Sequence, residues 1–405
     1  MKDKVRLSGA DTGTRKRITR LIDAADSGEP VLMVAGEHSG DLLGGDVIRA
    51  LSRLGIKHFF GTGGESMKSA GCEILMDVDS MAVMGFVDAL RNYARLKKLA
   101  RRLVDEAKTR GAKTAVLIDY PGFNLKLAGW LKAAGIRVVF LVSPQLWAWH
   151  YSRILKIKKN VDLMLVLFEF EKRIYDEEGV PCECVGHPMI RRIPEQLARE
   201  PPVALKRGKT ITLMPGSRRS EIRGLLPAIL GAARILKSQF PGLRFLLPNI
   251  NADQEPWIQE QIQEYPELKI EYLRDRSLRA LEACDLVLVA SGTATLETAF
   301  FLRPMVIVYR TGWINLILAS ILMRTRYVGI VNILARRPVA LELLQTEVTP
   351  ENIALEARRI LEDDAYRRAI VAELEFIKKS LGTGNPAEKA ARAIAAFVRT
   401  ASSAR

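Results

Sequence analysis

Leu286-Val287-Leu288-Val289-Ala290-Ser291-Gly292-Thr293-Ala294-Thr295-Leu296-Glu297 joins an unbroken aliphatic run to a tight turn and then to a helical pattern. Five consecutive apolar residues read as a strand buried on both faces, the pattern of a parallel sheet. Ser291-Gly292-Thr293 then turns the chain so that the first backbone N–H groups of the next helix point outward, where they attract an anion. Glu297, about one turn further in, is within reach of a ribose diol whose diphosphate rests on the turn. The same residues also fit a plain helix cap with one solvated glutamate, because a Ser or Thr cap followed by an acid is common.

A second segment of the same design stands earlier in the chain. Ile211-Thr212-Leu213-Met214 is a short apolar strand, and Pro215-Gly216-Ser217-Arg218-Arg219 supplies a turn, a hydroxyl and a fork of donors matched to phosphate oxygens. In an open α/β sheet ligands collect outside the carboxyl ends of the strands, where two such turns can face one nucleotide.

The chain has 405 residues, 48% of them hydrophobic and 26% charged, which is too long for one ordinary core and suits two globular α/β units. Its 61 Lys and Arg outnumber 46 Asp and Glu, a formal net charge of +15 that favours polyanionic or phosphorylated partners. Nucleic acid is disfavoured, because base-stacking platforms need aromatic residues and only 7% are aromatic. Four cysteines are too few for a disulfide scaffold and point to a reducing compartment, the cytoplasm. Cys182-x-Cys184-x-x-His187 lacks the spacing and the fourth ligand of a zinc site, so no metal is expected. No run reaches the roughly 18 to 20 apolar residues that span a bilayer. Met81-Ala82-Val83-Met84-Gly85-Phe86-Val87, beside the basic run from Arg91, and Trp313 to Met323, between Arg310 and Arg324, read either as core helices or as interfacial wedges with cationic rims.

Strands alternate with helices in two blocks. The first has strands at Val31–Ala35, Thr114–Asp119, Arg137–Val142 and Val161–Leu167, with helices from Leu42 to Leu54 and from Asn124 to Ala134. The second has strands at Ile211–Met214, Leu243–Leu247, Leu268–Tyr272, Leu286–Ala290 and Met305–Tyr309, followed by three helices at about 351–363, 365–381 and 386–401. Pro194, Pro201 and Pro202 mark a linker near residues 192–207. The expected fold is two facing doubly wound parallel-sheet domains of Rossmann-like type. Residues 1–29 form a basic extension, 30–200 an acceptor-binding domain, 201–385 a nucleotide-binding domain, and 386–405 a C-terminal helix free to pack back on the first domain. Neither block carries Gly-x-Gly-x-x-Gly after its first strand, and no P-loop motif occurs, which argues against dinucleotide and ATPase chemistry.

Six ordered motifs carry a resemblance: Gly36-Glu37-His38-Ser39-Gly40-Asp41, Asp119-Tyr120-Pro121-Gly122-Phe123-Asn124, Ser143-Pro144-Gln145-Leu146-Trp147-Ala148-Trp149, Gly186-His187-Pro188, Leu213-Met214-Pro215-Gly216-Ser217-Arg218 and Ala290 to Glu297. Together, from about residue 31 to the end, they resemble lipid-A-disaccharide synthase. The resemblance implies a GT-B glycosyltransferase that joins UDP-2,3-diacylglucosamine to 2,3-diacylglucosamine 1-phosphate with a β-1,6 linkage and releases UDP. It needs no cofactor and no metal, works at the cytoplasmic face of the inner membrane, and is compatible with a homodimer. An α-linked donor giving a β product requires one displacement with a general base and stabilisation of the leaving diphosphate. Asp119 is the candidate base, and Arg218 the candidate leaving-group stabiliser. Many family members have a second acid where this chain has Gly122. The nucleotide is expected at Gly216, Ser217, Arg218, Ser291, Gly292, Thr293, Glu297, Tyr309, Arg310 and Asn332, with packing as the other reading of Tyr309. The acceptor is expected at Glu37, Ser39, Gly40, Asp41, Trp147 and Trp149. The alternatives are a UDP-sugar epimerase and a GT-B transferase with another lipid acceptor.

Overall fold

A computed structural model describes residues 28–81, 86–147, 151–203, 208–311 and 327–402. The basic extension expected before residue 28, Trp149, and most of the two apolar segments, 82–85 and 312–326, lie outside the described residues.

The first half alternates β1 (Val31–Ala35), α1 (His38–Arg53), β2 (Phe59–Gly63), α2 (Glu65–Ser69), β3 (Cys72–Asp77), α3 (Phe86–Thr109), β4 (Thr114–Ile118), α4 (Pro121–Ala133), β5 (Arg137–Leu141), α5 (Arg153–Asn160), β6 (Leu163–Val166), α6 (Glu169–Glu177), β7 (Cys182–Cys184) and α7 (Met189–Leu197). The second half runs β8 (Thr210–Met214), α8 (Arg219–Gln239), β9 (Arg244–Asn249), α9 (Glu255–Gln263), β10 (Glu271–Arg274), α10 (Ser277–Ala283), β11 (Leu286–Ala290), α11 (Thr293–Phe300), β12 (Met305–Tyr309), α12 (Ile330–Ala335), β13 (Glu342–Leu344), α13 (Pro350–Glu362), α14 (Asp364–Ser380) and α15 (Pro386–Ser402).

Both sheets are wholly parallel, in the orders β3-β2-β1-β4-β5-β6-β7 and β10-β9-β8-β11-β12-β13. In each, the first strand is central and the chain reverses its direction of winding beside it. That reversal opens a crevice at the carboxyl ends of β1 and β4, and another at those of β8 and β11. Ala35 pairs with Ile118, and Val289 with Met214, so the turns that follow each of these strands emerge side by side.

Four strands escape the sequence reading for physical reasons. β2 contains two glycines, and a Cβ on Gly61 would stand 1.9 Å from the carbonyl oxygen of Met33, so the close approach of β1 excludes a side chain there. β3 carries Glu73 and Asp77 and is only partly buried, and β7 and β13 are three-residue edge strands without apolar runs. The region read as a linker from residue 192 is helical to Leu197. Met189 and Ile193 of α7 pack in the core of the second half, together with Phe168 from the first. The following Leu197–Pro201 segment is clamped to the second half, because Arg279 donates to the carbonyls of Leu197 and Glu200 and Arg276 to that of Pro201.

The last helix returns to the first half. Ala390, Ala391, Ile394 and Val398 of α15 share one apolar cluster with Val31, Met33 and Val47, their small side chains admitting close approach to α1. Arg137 stacks over the Phe397 ring at 4.0 Å, and Arg399 donates to the carbonyl of Leu54 at 2.9 Å. The chain therefore crosses between the halves twice, and the crossings touch: the N–H of His187 donates to the carbonyl of Leu381 at 2.8 Å, and a Cβ on Gly382 would lie 3.2 Å from the Cα of Gly186. Both glycines have positive φ, 89° and 90°.

Ile394 is fully buried at this return contact. Ile394→Ala is expected to destabilise the first half by about 3 kcal/mol through lost transfer energy and a residual cavity. Urea denaturation followed by first-half tryptophan fluorescence measures it.

Candidate active site

A cavity of about 420 Å³ lies between the two sets of carboxyl-end turns. From the first half come Ser39, Gly40, Asp119, Ser143, Gln145, Trp147, Glu171 and His187, joined by Arg192 of α7. Across from them stand Thr293, Leu296, Glu297 and Ile330. Of the expected residues, the fold thus gathers Ser39, Gly40, Asp119, Trp147, Thr293 and Glu297 around one space.

Asp119 follows β4 directly, and both it and Tyr120 adopt left-handed backbone, φ 49° and 48°. Two consecutive non-glycine residues in that region cost about 1 to 2 kcal/mol each. The turn is held by Asn124, whose side-chain amide donates to the carbonyls of Asp119 at 2.7 Å and Ile118 at 3.2 Å, and by Pro121, preset for the first turn of α4. Tyr120 occupies the cap position of α4 and its side chain makes no capping bond. Gly36 leaves room for the Tyr120 ring, which a Cβ there would meet at 2.3 Å. Burial pushes the Asp119 carboxyl up to about 6, the nearby Glu37 adds to the shift, and a hydrogen bond from the Tyr120 backbone opposes it. A carboxylate held near that value is a stronger base than an exposed one and still ionised at neutral pH.

Glu171 is a site residue that the sequence reading misses, because it stands within Glu169-Phe170-Glu171-Lys172, which looks like a solvated helix face. It accepts hydrogen bonds from Trp147 Nε1 at 3.3 Å and from the backbone N–H of Leu167 and Phe168 at 3.2 and 3.3 Å. Burial raises it to about 7, against the pull of those bonds. Trp147 meets the Phe170 ring edge-on at 5.7 Å and is fixed from both sides. Glu297 faces the cavity from α11, and burial alone raises it to about 7. His187, also unassigned from the sequence although Gly186-His187-Pro188 is one of the six motifs, is driven down to about 4 by burial and by the charge of Arg192.

Several expected contacts are instead structural. Asp41 accepts from the N–H groups of Gly64, Ser66 and Met67 at 2.6, 3.0 and 3.0 Å, capping α2 rather than facing an acceptor. The buried Asn332 donates to the carbonyl of Ala340 and to Glu342, and accepts from the N–H of Val339 and Ala340, which saturates its amide. Arg310 donates to the carbonyls of Gly224, Gln345 and Val348 and ties the end of β12 to α8. Tyr309 ends β12 outside the cavity lining. Glu37 is exposed beside the cavity and acts on it through charge.

Gly216, Ser217 and Arg218 lie beyond the cavity lining, at the end of β8 next to β11. The N–H groups of Ser217 and Arg218 donate to Glu221 Oε2 at 3.1 and 3.2 Å, and Arg218 Nη1 pairs with Glu221 Oε1 at 2.7 Å. Gly216, at φ 112°, makes room for that carboxylate, since a Cβ would meet Glu221 at 2.6 Å. The Arg218 side chain is 79% exposed. On the neighbouring turn, Ser291 is tied by its hydroxyl to the carbonyl of Val328 and by its N–H to that of Val308, while Gly292 and Thr293 are open at the start of α11.

The sequence profile of the family described as Lipid-A-disaccharide synthetase matches residues 31–395. A lipid-A-disaccharide synthase of Trichlorobacter lovleyi is 40% identical over 381 residues, which is 91% of this chain and 97% of that protein. The chain belongs to the lipid-A-disaccharide synthase family. It is accordingly an enzyme, a UDP-sugar glycosyltransferase that forms the lipid A disaccharide. Two solved structures share its fold: the UDP-GlcNAc 2-epimerase of Neisseria meningitidis bound to UDP-GlcNAc, with TM-score 0.55 and 13% identity over 92% of this chain and all of that one, and CalG4, the calicheamicin glycosyltransferase, with TM-score 0.57 and 12% identity over 92% and 99%. At those identities the likeness concerns the GT-B architecture, which the two facing parallel sheets display.

Raised carboxyls bind protons more tightly in the folded chain. Glu297 shifts from 4.5 to about 7, so its contribution to stability is greatest below pH 4.5 and declines as pH rises to 7. His187, lowered from 6.5 to about 4, acts in the opposite sense and costs stability as pH falls through that window. Glu297→Gln is therefore expected to gain stability over the wild type between pH 4.5 and 7, by up to about 3 kcal/mol. Denaturant midpoints across that range measure the difference, and a constant offset would contradict it.

Proposed function

We propose that the cavity is the transfer site, with the uridine diphosphate of the donor on the second-half turns and the acceptor sugar between Ser39, Trp147 and Asp119. The observation that carries this reading is the single desolvated space shared by Asp119 and Glu297, which puts a poised base opposite the start of α11. In the proposed step Asp119 takes the proton from the acceptor 6-hydroxyl, the oxygen attacks the anomeric carbon from the face opposite the diphosphate, and the bond to the diphosphate oxygen breaks. UDP leaves with the bonding electrons, and the configuration inverts. The open N–H groups at Gly292 and Thr293 meet the growing negative charge, with Arg218 swinging in from the adjacent turn. Glu297 accepts from the ribose hydroxyls. The donor and acceptor are UDP-2,3-diacylglucosamine and 2,3-diacylglucosamine 1-phosphate.

Gly122 bears on the identity of the base. It is exposed on the first turn of α4, and a Cβ there meets nothing within 4 Å. An acid at that position would be solvated, with the pKa of an ordinary surface carboxylate and less basicity than Asp119. Asp119→Asn is expected to lower kcat by about 10²- to 10⁴-fold, the usual contribution of a general base, while UDP affinity in calorimetry stays within a few-fold. Adding Gly122→Asp to that variant should restore nothing. The wild-type kcat/KM should fall as pH drops below about 6, where Asp119 becomes protonated. Wild-type-like turnover of Asp119→Asn would overturn the assignment.

Both proposed substrates carry acyl chains, which calls for a membrane surface. None of the described helices is long and apolar enough to cross a membrane. Met81 is fully buried in the first-half core and is not a docking residue. The support is electrostatic: Arg95, Lys97, Lys98, Arg101 and Arg102 are exposed along α3. On α5, Leu155 is 69% exposed among Lys156, Lys158 and Lys159. Such a surface suits anionic headgroups of the cytoplasmic leaflet. Lys97→Glu with Lys98→Glu and Arg101→Glu is expected to cut sedimentation with vesicles containing phosphatidylglycerol at least tenfold, since each basic residue near such a surface contributes about 1 kcal/mol.

A further inference from the structure

The cavity holds three carboxyl groups, yet both proposed substrates bring phosphate. Among the described residues lining it, Arg192 is the single Lys or Arg. It stands on the first turn of α7, one helix turn beyond His187. Its Nη2 is buried without a hydrogen-bond partner. The nearest carboxylate, Asp46, is 3.6 Å away and is already engaged by Arg49 at 2.8 Å. One aspartate thus serves two guanidiniums, and positive charge is left over at the cavity wall.

His187 completes the arrangement. Its Nδ1 accepts a hydrogen bond from the N–H of Met189 at 3.2 Å. An imidazole that accepts at Nδ1 carries its proton on Nε2 when neutral, so the ring offers the cavity a donor and no acceptor there. The ring is held by that bond and by Phe168, whose ring lies tilted 37° from it with centroids 5.5 Å apart. A neutral donor and an under-compensated, half-buried guanidinium on one wall of the cavity match the oxygens of a phosphoryl group.

We propose that His187 and Arg192 form a phosphoryl-binding subsite at the inner end of the cleft, where the chain first crosses between the halves, with Nε2–H and the guanidinium donating to oxygens of one substrate phosphate. This rests on the transfer-site reading above and adds to it a contact that the Pro215–Arg218 and Ser291–Thr293 turns do not supply. The phosphate is either the diphosphate of the donor or the single phosphate of the acceptor. The chemistry is the same, and binding measurements separate them.

The test uses the full-length enzyme with His187→Phe, His187→Gln and Arg192→Gln. Phe keeps the ring volume against Phe168 and removes the donor, whereas Gln returns an N–H near the position of Nε2. Calorimetry with UDP and with uridine, together with separate KM determinations for the nucleotide donor and the phosphorylated acceptor, reads the effect. Loss of one charge-assisted or oriented hydrogen bond to phosphate predicts a weakening of about 10- to 100-fold for His187→Phe and Arg192→Gln, with partial recovery in His187→Gln. Weakening toward UDP with uridine unchanged assigns the subsite to the diphosphate. A raised acceptor KM with UDP affinity unchanged assigns it to the acceptor phosphate. If the folded His187→Phe and Arg192→Gln variants keep UDP affinity and both KM values within twofold, the subsite does not exist. If UDP and uridine weaken equally, the two residues only shape the wall, and the proposal fails. Should wild-type enzyme bind no UDP at all, the transfer-site reading fails before this one is reached. Should His187→Phe not fold, Arg192→Gln and His187→Gln carry the same comparison.

Discussion

The polarity of two parallel sheets governs this molecule. Because every strand of a half runs the same way, every turn at its carboxyl end emerges on one side, and the central placement of β1 and β8 parts those turns into a crevice. Setting the two carboxyl edges against each other produces a recessed cleft without any element devoted to forming it. Ser39, Asp119, Ser143, Phe168 and His187 reach that space because each follows a strand, or begins the helix after one.

Removal of water then sets the chemistry. Asp119, Glu171 and Glu297 are all raised mainly by burial, and His187 is lowered by it. These shifts create a base that is still ionised at neutral pH, two carboxyls balanced near neutrality, and an imidazole that stays uncharged. The folded chain maintains such groups at a cost offset by its aliphatic sheets, where β1, β4 and β11 are buried along their whole length. Glu171 is the clearest case, since three hydrogen bonds hold a carboxyl in a place that solvation alone would deny it.

The sequence discloses the strands whose burial is written as continuous aliphatic runs, and the turns that follow them. Leu286–Ala290 and Met305–Tyr309 coincide residue for residue with β11 and β12, and Asp119 stands at its strand end in both views. It does not disclose β2, β7 or β13, whose pairing comes from neighbours and not from their own composition. Site residues divide the same way. Residues in turns between recognisable strands can be located, but whether a polar side chain in such a turn faces a ligand or the protein is decided by tertiary contacts. Asp41, Arg310 and Asn332 face the protein, bound to backbone donors and carbonyls that are distant or unmarked in the sequence. Glu171 faces the cavity, although its local pattern is that of a surface helix. Trp147 and Glu297, expected at the acceptor and at the ribose, both line the cavity.

The back-to-back glycines at the two crossings have a mechanical consequence. A pair of globular bodies joined at widely separated points can only flex by bending both connections, whereas Gly186 and Gly382 bring the joints to one spot. Backbone meets backbone there, so a side chain at either position would force the two crossings apart. His187 follows directly, so the contact that fixes the crossings also fixes the innermost wall of the cleft.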